Sequence, residues 1–124
     1  MELVTKLAWI SLALIHAAPA LVGLRPSMVA TLYGTAPSGD LGVLLAHRGV
    51  LFLSVLVACL YAAFEPEARQ TASLVAAISV LGFLAHYALA GLPTGPLRTV
   101  ALVDAIAVAP LAWVLLTAWR RAIV

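Results

Sequence analysis

Four apolar stretches, each long enough to cross a bilayer, dictate the architecture of this 124-residue chain. A spanning helix needs about 20 mostly apolar residues, since each adds about 1.5 Å across a hydrocarbon core of roughly 30 Å. Residues 3–24, 41–64, 71–92 and 97–119 meet that requirement. Their breaks carry ordinary punctuation. Arg25-Pro26 ends the first stretch, and Ser38-Gly39-Asp40 offers an N-cap to the second. Glu65-Pro66-Glu67 separates the second from the third, and a Gly/Pro-rich run over 91–96 turns the third into the fourth. The expected fold is an all-α integral membrane four-helix bundle, one domain over 1–124.

Composition excludes the alternatives. Only 10% of the residues are charged, against roughly a quarter in soluble domains, and the mean hydropathy is +1.13. A net charge of +2, scattered along the chain, offers no nucleic-acid surface. The single cysteine, Cys59, permits no internal disulfide and reads as a small buried side chain. A signal peptide, with Lys6 in its n-region and Ala18-Pro19-Ala20 as cleavage site, competes for the N-terminus. The apolar run through Leu24 and the histidine at position 16 favour a span instead.

The first connection, 25–40, is the only long one. Pro26 suits a helix N1 position, Met28, Val29, Leu32 and Tyr33 form an apolar stripe, and Gly34 can end it. A short interfacial helix is expected there. With both termini cytoplasmic, Lys6, Arg69, Arg120 and Arg121 lie inside, against Arg25, Arg48 and Arg98 outside. That bias agrees with the positive-inside rule, and Trp119 fits an interfacial anchor.

Besides Arg48 and the near-terminal Lys6 and Arg98, four histidine or acidic residues interrupt the apolar spans, one in each: His16, His47, His86 and Asp104. Because consecutive helices alternate in direction, all four are expected roughly 8–12 Å below the loop-rich end. Small residues share their faces, as with Ser79 and Gly82 beside His86, so these faces are plausible helix contacts. Pro19 and Pro110 sit near the layer, and Pro19 frees the Ile15 carbonyl. Arg48 adjoins His47 on another side of its helix and needs a partner in an apolar setting. As the only carboxylate within a span, Asp104 is the expected one.

Intramembrane ionisable groups face bundle interiors or water-filled cavities and mark functional sites. One reading is a pocket for a small amphipathic or quinone-like ligand, entered from the membrane or beneath the first connection. His16, His47, Arg48, His86 and Asp104 would supply its polar contacts, and Leu51, Phe52, Phe83 and Leu84 its apolar wall. A second is a transition-metal site built from His16, His47, His86 and Asp104, whose atoms are suitable ligands. A third is haem held by two of the histidines. Beside these stands a structural or accessory role, in which the polar layer only fixes helix packing. Neither a nucleophile elbow, a phosphate-binding loop nor paired carboxylates point to catalysis. The lipid bilayer is the expected partner, with room for self-association or a partner membrane subunit.

The chain resembles the DoxX-like group of small four-helix bacterial membrane proteins. The features are His16 and Pro19, Leu32-Tyr33-Gly34, Leu45-Ala46-His47-Arg48-Gly49, the 79–86 stretch and Asp104. The resemblance covers nearly the whole chain. It implies a bacterial inner-membrane location, and links of some such proteins to quinone-coupled oxidoreductases favour the pocket reading. It assigns no residue roles.

Overall fold

A computed structural model describes residues 1–34, 36 and 38–120. Arg121, counted above among the cytoplasmic-side charges, lies outside them. The described residues are 87% helical, with no strand among them. Helix α1 covers Glu2–Leu24, α2 Met28–Tyr33, α3 Gly39–Phe64, α4 Arg69–Leu89 and α5 Leu97–Trp119. A 3₁₀ turn over Pro66–Ala68 leads into α4. Four of these elements are long and apolar enough to cross a membrane, so the chain fits a small multi-pass membrane protein.

The short α2 ends at Gly34, whose φ of 66° is the left-handed conformation that suits glycine at a helix C-terminus. Pro26 lies not at N1 but in the turn before, where its carbonyl accepts from the Val29 amide. The fourth helix stops at Leu89, three residues short of the expected boundary at 92. Gly91 (φ 84°) and Leu92 (φ 56°) reverse the chain there, and the Tyr87 hydroxyl donates to the Pro93 carbonyl across the turn. Both internal prolines, Pro19 and Pro110, are accommodated without ending their helices.

The helices form a ring in which α1 contacts α3 and α5, and α4 contacts α5 and α3. The α1–α3 contact is the most extensive. Toward the loop-rich end it becomes backbone on backbone. A Cβ added at Gly49 would stand 2.2 Å from the Gly23 nitrogen, and one at Gly23 would stand 2.6 Å from the Val50 nitrogen. Small residues allow such approach where no hydrophobic drive between helices exists.

The apolar core fills the opposite half of the bundle. Trp9, Leu12, Cys59, Ala62, Ala76, Leu111 and Val114 are fully or almost fully buried there. In α4 the buried residues are Ala72, Ser73, Ala76 and Val80, and none follows Val80. Polar ties reinforce this end. The Arg69 guanidinium donates to the Ala62 carbonyl and to both carboxylate oxygens of Glu2. The Trp113 indole donates to Thr5, and that of Trp119 to Ser73. The bundle is therefore closed at the turn between α3 and α4 and open at the loop-rich end, where α3 leans on α1.

Replacing Gly49 with valine should destabilise the bundle by about 1–3 kcal/mol or more, the usual cost of overpacking, because backbone faces the new side chain. Gly82 has nothing within 4 Å of an added Cβ. Gly82→Ala should leave stability unchanged or raise it by about 0.5–1 kcal/mol through helix propensity. Thermal unfolding in detergent, followed by far-UV circular dichroism, compares the two. Equal melting temperatures for Gly49→Val and the wild type would refute the backbone crossing.

Candidate functional site

Where α3 and α4 diverge, they enclose an open cleft of about 680 Å³ lined by Arg48, Phe52, Val55, Ile78, Ser79 and His86, among others. A smaller cleft of about 140 Å³ lies across the bundle interior, with His16, Pro19, Tyr33, Thr99 and Asp104 in its wall. Phe52 and Phe83 line both and form a shared aromatic partition.

His16 is buried, and both its ring nitrogens are engaged. Nδ1 lies 2.8 Å from the Leu12 carbonyl, and Nε2 lies 3.0 Å from the Ser79 hydroxyl. Since a carbonyl can only accept, Nδ1 carries the proton. In the neutral ring Nε2 must then accept, so the Ser79 hydroxyl donates to it. The oxygen of Ser79 consequently turns only lone pairs toward the large cleft. Behind the ring, Phe52 stands at a centroid distance of 5.8 Å, tilted by 42°. This bond ties α1 to α4 directly.

Arg48 does not form the expected ion pair with Asp104. Among the described residues the one ion pair is Arg69–Glu2, at the other end of the bundle. The Arg48 guanidinium instead lies over three aromatic rings: Phe52 at 5.1 Å, Phe83 at 5.5 Å and Tyr33 at 5.9 Å from the ring centroids. The rings come from α3, α4 and α2. Each presents a negative π face to the cation, an attraction that reaches about 2 kcal/mol or more when desolvated. Physically, the partition intervenes: Arg48 lines only the large cleft and Asp104 only the small one. The two side chains make no ion pair within 4.0 Å.

The remaining histidines are peripheral. His86 stands in the last turn of α4, which ends at Leu89, so it is shallower than expected and exposed at the rim of the large cleft. His47 is exposed and lines neither cleft. One residue of helix is a rotation of about 100°, and Arg48 takes the inward direction. Leu51, Phe52 and Phe83 line the large cleft as expected, whereas Leu84 faces a separate depression beside Tyr87 and Arg98.

The metal site expected from His16, His47, His86 and Asp104 does not assemble. Among the described residues no three His, Cys, Asp or Glu side chains come together in a way that could hold a metal ion. His16, with both ring nitrogens engaged, has none free to serve as an axial haem ligand. Sequence reasoning placed Phe52 and Phe83 in an apolar wall but missed their role around Arg48, and it gave Ser79 and Tyr33 no part in the site. The spacing between Arg48 and Phe52, one helical turn, was the signal available for the cage.

Comparison with protein-family models, with curated proteins and with solved structures found no match.

The His16–Ser79 bond should be visible as energetic coupling. In a double-mutant cycle of His16→Phe and Ser79→Ala, the interaction should be about 0.6 kcal/mol, the average for interhelical bonds in membranes, and at most about 1.7 kcal/mol. His47→Ala should fall within about 0.5 kcal/mol of the wild type. Chemical unfolding in mixed micelles measures all four proteins. Strict additivity of the His16 and Ser79 variants would sink the assignment.

Proposed function

We propose that this chain binds a small amphipathic or quinone-like molecule in the cleft between α3 and α4. One observation carries the reading. Arg48 lines a mostly apolar cleft, and among the described residues its guanidinium has no hydrogen-bond acceptor or ion-pair partner. A guanidinium carries five N–H donors and cannot lose its charge. Aromatic faces attract the cation but do not satisfy its N–H edges. An acceptor supplied by a ligand would complete the site. Its volume, about 680 Å³, lies within the roughly 300–1,000 Å³ common for ligand pockets.

Within this reading Arg48 is the anchoring residue, with His86 at the rim and Ser79 on the floor. Leu51, Phe52, Val55 and Ile78 supply the apolar walls. His16 and Asp104 act from behind the partition, and His47 has no part. The cleft opens sideways between two spanning helices, so the molecule would enter from the lipid.

A purely structural role has an observation in its favour too, because His16 spends both nitrogens on contacts that lock α1 to α4. That accounts for His16. It leaves the N–H edge of Arg48 unexplained. The resemblance to the DoxX-like group supports a bacterial inner membrane as the location. Lys6, Arg69 and Arg120 near the closed end support cytoplasmic termini by the positive-inside rule.

Protein purified in mild detergent should carry a stoichiometric hydrophobic molecule, identified by native mass spectrometry and organic extraction. Ile78→Trp, which fills the cleft from an exposed position, should lose that molecule while keeping its melting temperature within a few degrees. A wild-type protein with an empty cleft, unaltered by added quinone or amphiphile, would overturn the proposal.

A further inference from the structure

Resting on that reading, we infer that the molecule in the α3–α4 cleft bears an anionic, acceptor-only head, a carboxylate or phosphate, on an acyl chain. The cage around Arg48 supplies the first argument. Three aromatic faces are the arrangement that receives a cationic ligand, but here the protein's own arginine occupies it. A cationic head is thereby excluded, and a positive charge is turned toward the cleft. No carboxylate among the described residues reaches it within 4.0 Å, and Asp104 is walled off by Phe52 and Phe83. A cation in an apolar setting calls for a counter-ion, and a guanidinium matches carboxylate and phosphate oxygens in bidentate fashion.

Polarity along the cleft sets the direction of the molecule. Donors gather at the loop-rich end, where Arg48 and the exposed His86 stand. Deeper, the Ser79 proton is committed to His16 and the Ser54 proton to the Leu51 carbonyl, so the floor offers no donor. Beyond it Val55, Val75 and Ile78 are apolar. The head would sit near the helix ends and the chain would run toward the middle of the bundle. Bilayer lipids and fatty acids have that same orientation, head at the interface and chain inward, so an amphiphile can slide in without turning over. A free fatty carboxylate and a lipid phosphate share this chemistry.

The test is photolabelling of the full chain in lipid nanodiscs with a palmitate analogue that carries a mid-chain diazirine and a terminal alkyne. Labelled peptides should map to α3 and α4 around 51–55 and 75–83. Unlabelled palmitate or palmitoyl-lysophosphatidate should suppress labelling, and whichever competes better identifies the source. Hexadecanol, monopalmitoylglycerol and decylubiquinone should be weaker by about tenfold or more, the worth of a charge-assisted hydrogen bond. Arg48→Gln should abolish the preference for anions, and Arg48→Lys should keep part of it. Should Arg48→Gln not fold, the competition series on the wild-type protein still decides. If a neutral head competes as well as palmitate, or only a quinone photoprobe labels the cleft, the anionic head is refuted and the cleft reading survives. If neither probe labels the cleft, both fall.

Discussion

Gly23 and Gly49 let two helix backbones touch, and the shape of the loop-rich half follows from that contact. With α3 drawn against α1 at this end, it cannot also close on α4. At the other end a short turn joins α3 to α4, and Arg69 holds the Ala62 carbonyl. Two helices tied at one end and pulled apart at the other leave a wedge between them. The cleft is thus a consequence of where small residues permit close approach, not of bulky residues propping the helices open. Core side chains of the two helices, such as Cys59, Ala76 and Val80, pack in the narrow part of the wedge, and nothing in α4 beyond Val80 is buried.

Burying polar groups in an apolar medium is costly unless each finds a partner, and this chain meets the cost in four different ways. His16 satisfies both nitrogens inside the bundle. Arg48 is held by aromatic faces. His86 escapes by lying in the last helical turn. His47 belongs to a helix of 26 residues, about 39 Å long and longer than the roughly 30 Å core, so its early turns can rise toward water. Equal depth in the sequence therefore did not mean one shared site.

The four long apolar helices and the short helix between the first two were legible because their signals are local: apolar run length, proline and glycine punctuation, and a stripe ended by Gly34. Two of the four layer residues, His16 and Asp104, do face the interior. What stayed hidden was helix phase. His47 and Arg48 are neighbours in sequence, yet only one of them can point into the cleft, and nothing local says which. The Arg48–Asp104 pairing failed for a related reason. Charge arithmetic matched the only interior cation to the only interior carboxylate, while the intervening Phe52 and Phe83 come from two separate helices. The depth assigned to His86 depended on the end of α4, which Tyr87 and Gly91 bring forward by three residues.

Why the position is an arginine follows from the cage itself. Lysine ends in a compact ammonium whose three donors radiate from one strongly hydrated point. Three rings closing around it would strip that hydration and leave the N–H bonds directed at hydrocarbon. A guanidinium is flat, weakly hydrated and always charged, so its faces can rest on rings while its edge remains free to donate. With Phe52 on its own helix, Tyr33 on α2 and Phe83 on α4, the plane of the fork is constrained from three elements at once. Less rotamer freedom then remains to be lost when an acceptor arrives, and a preorganised donor binds more tightly than a free one. The aromatic residues thereby do more than offset the cost of a charge near lipid. They aim it.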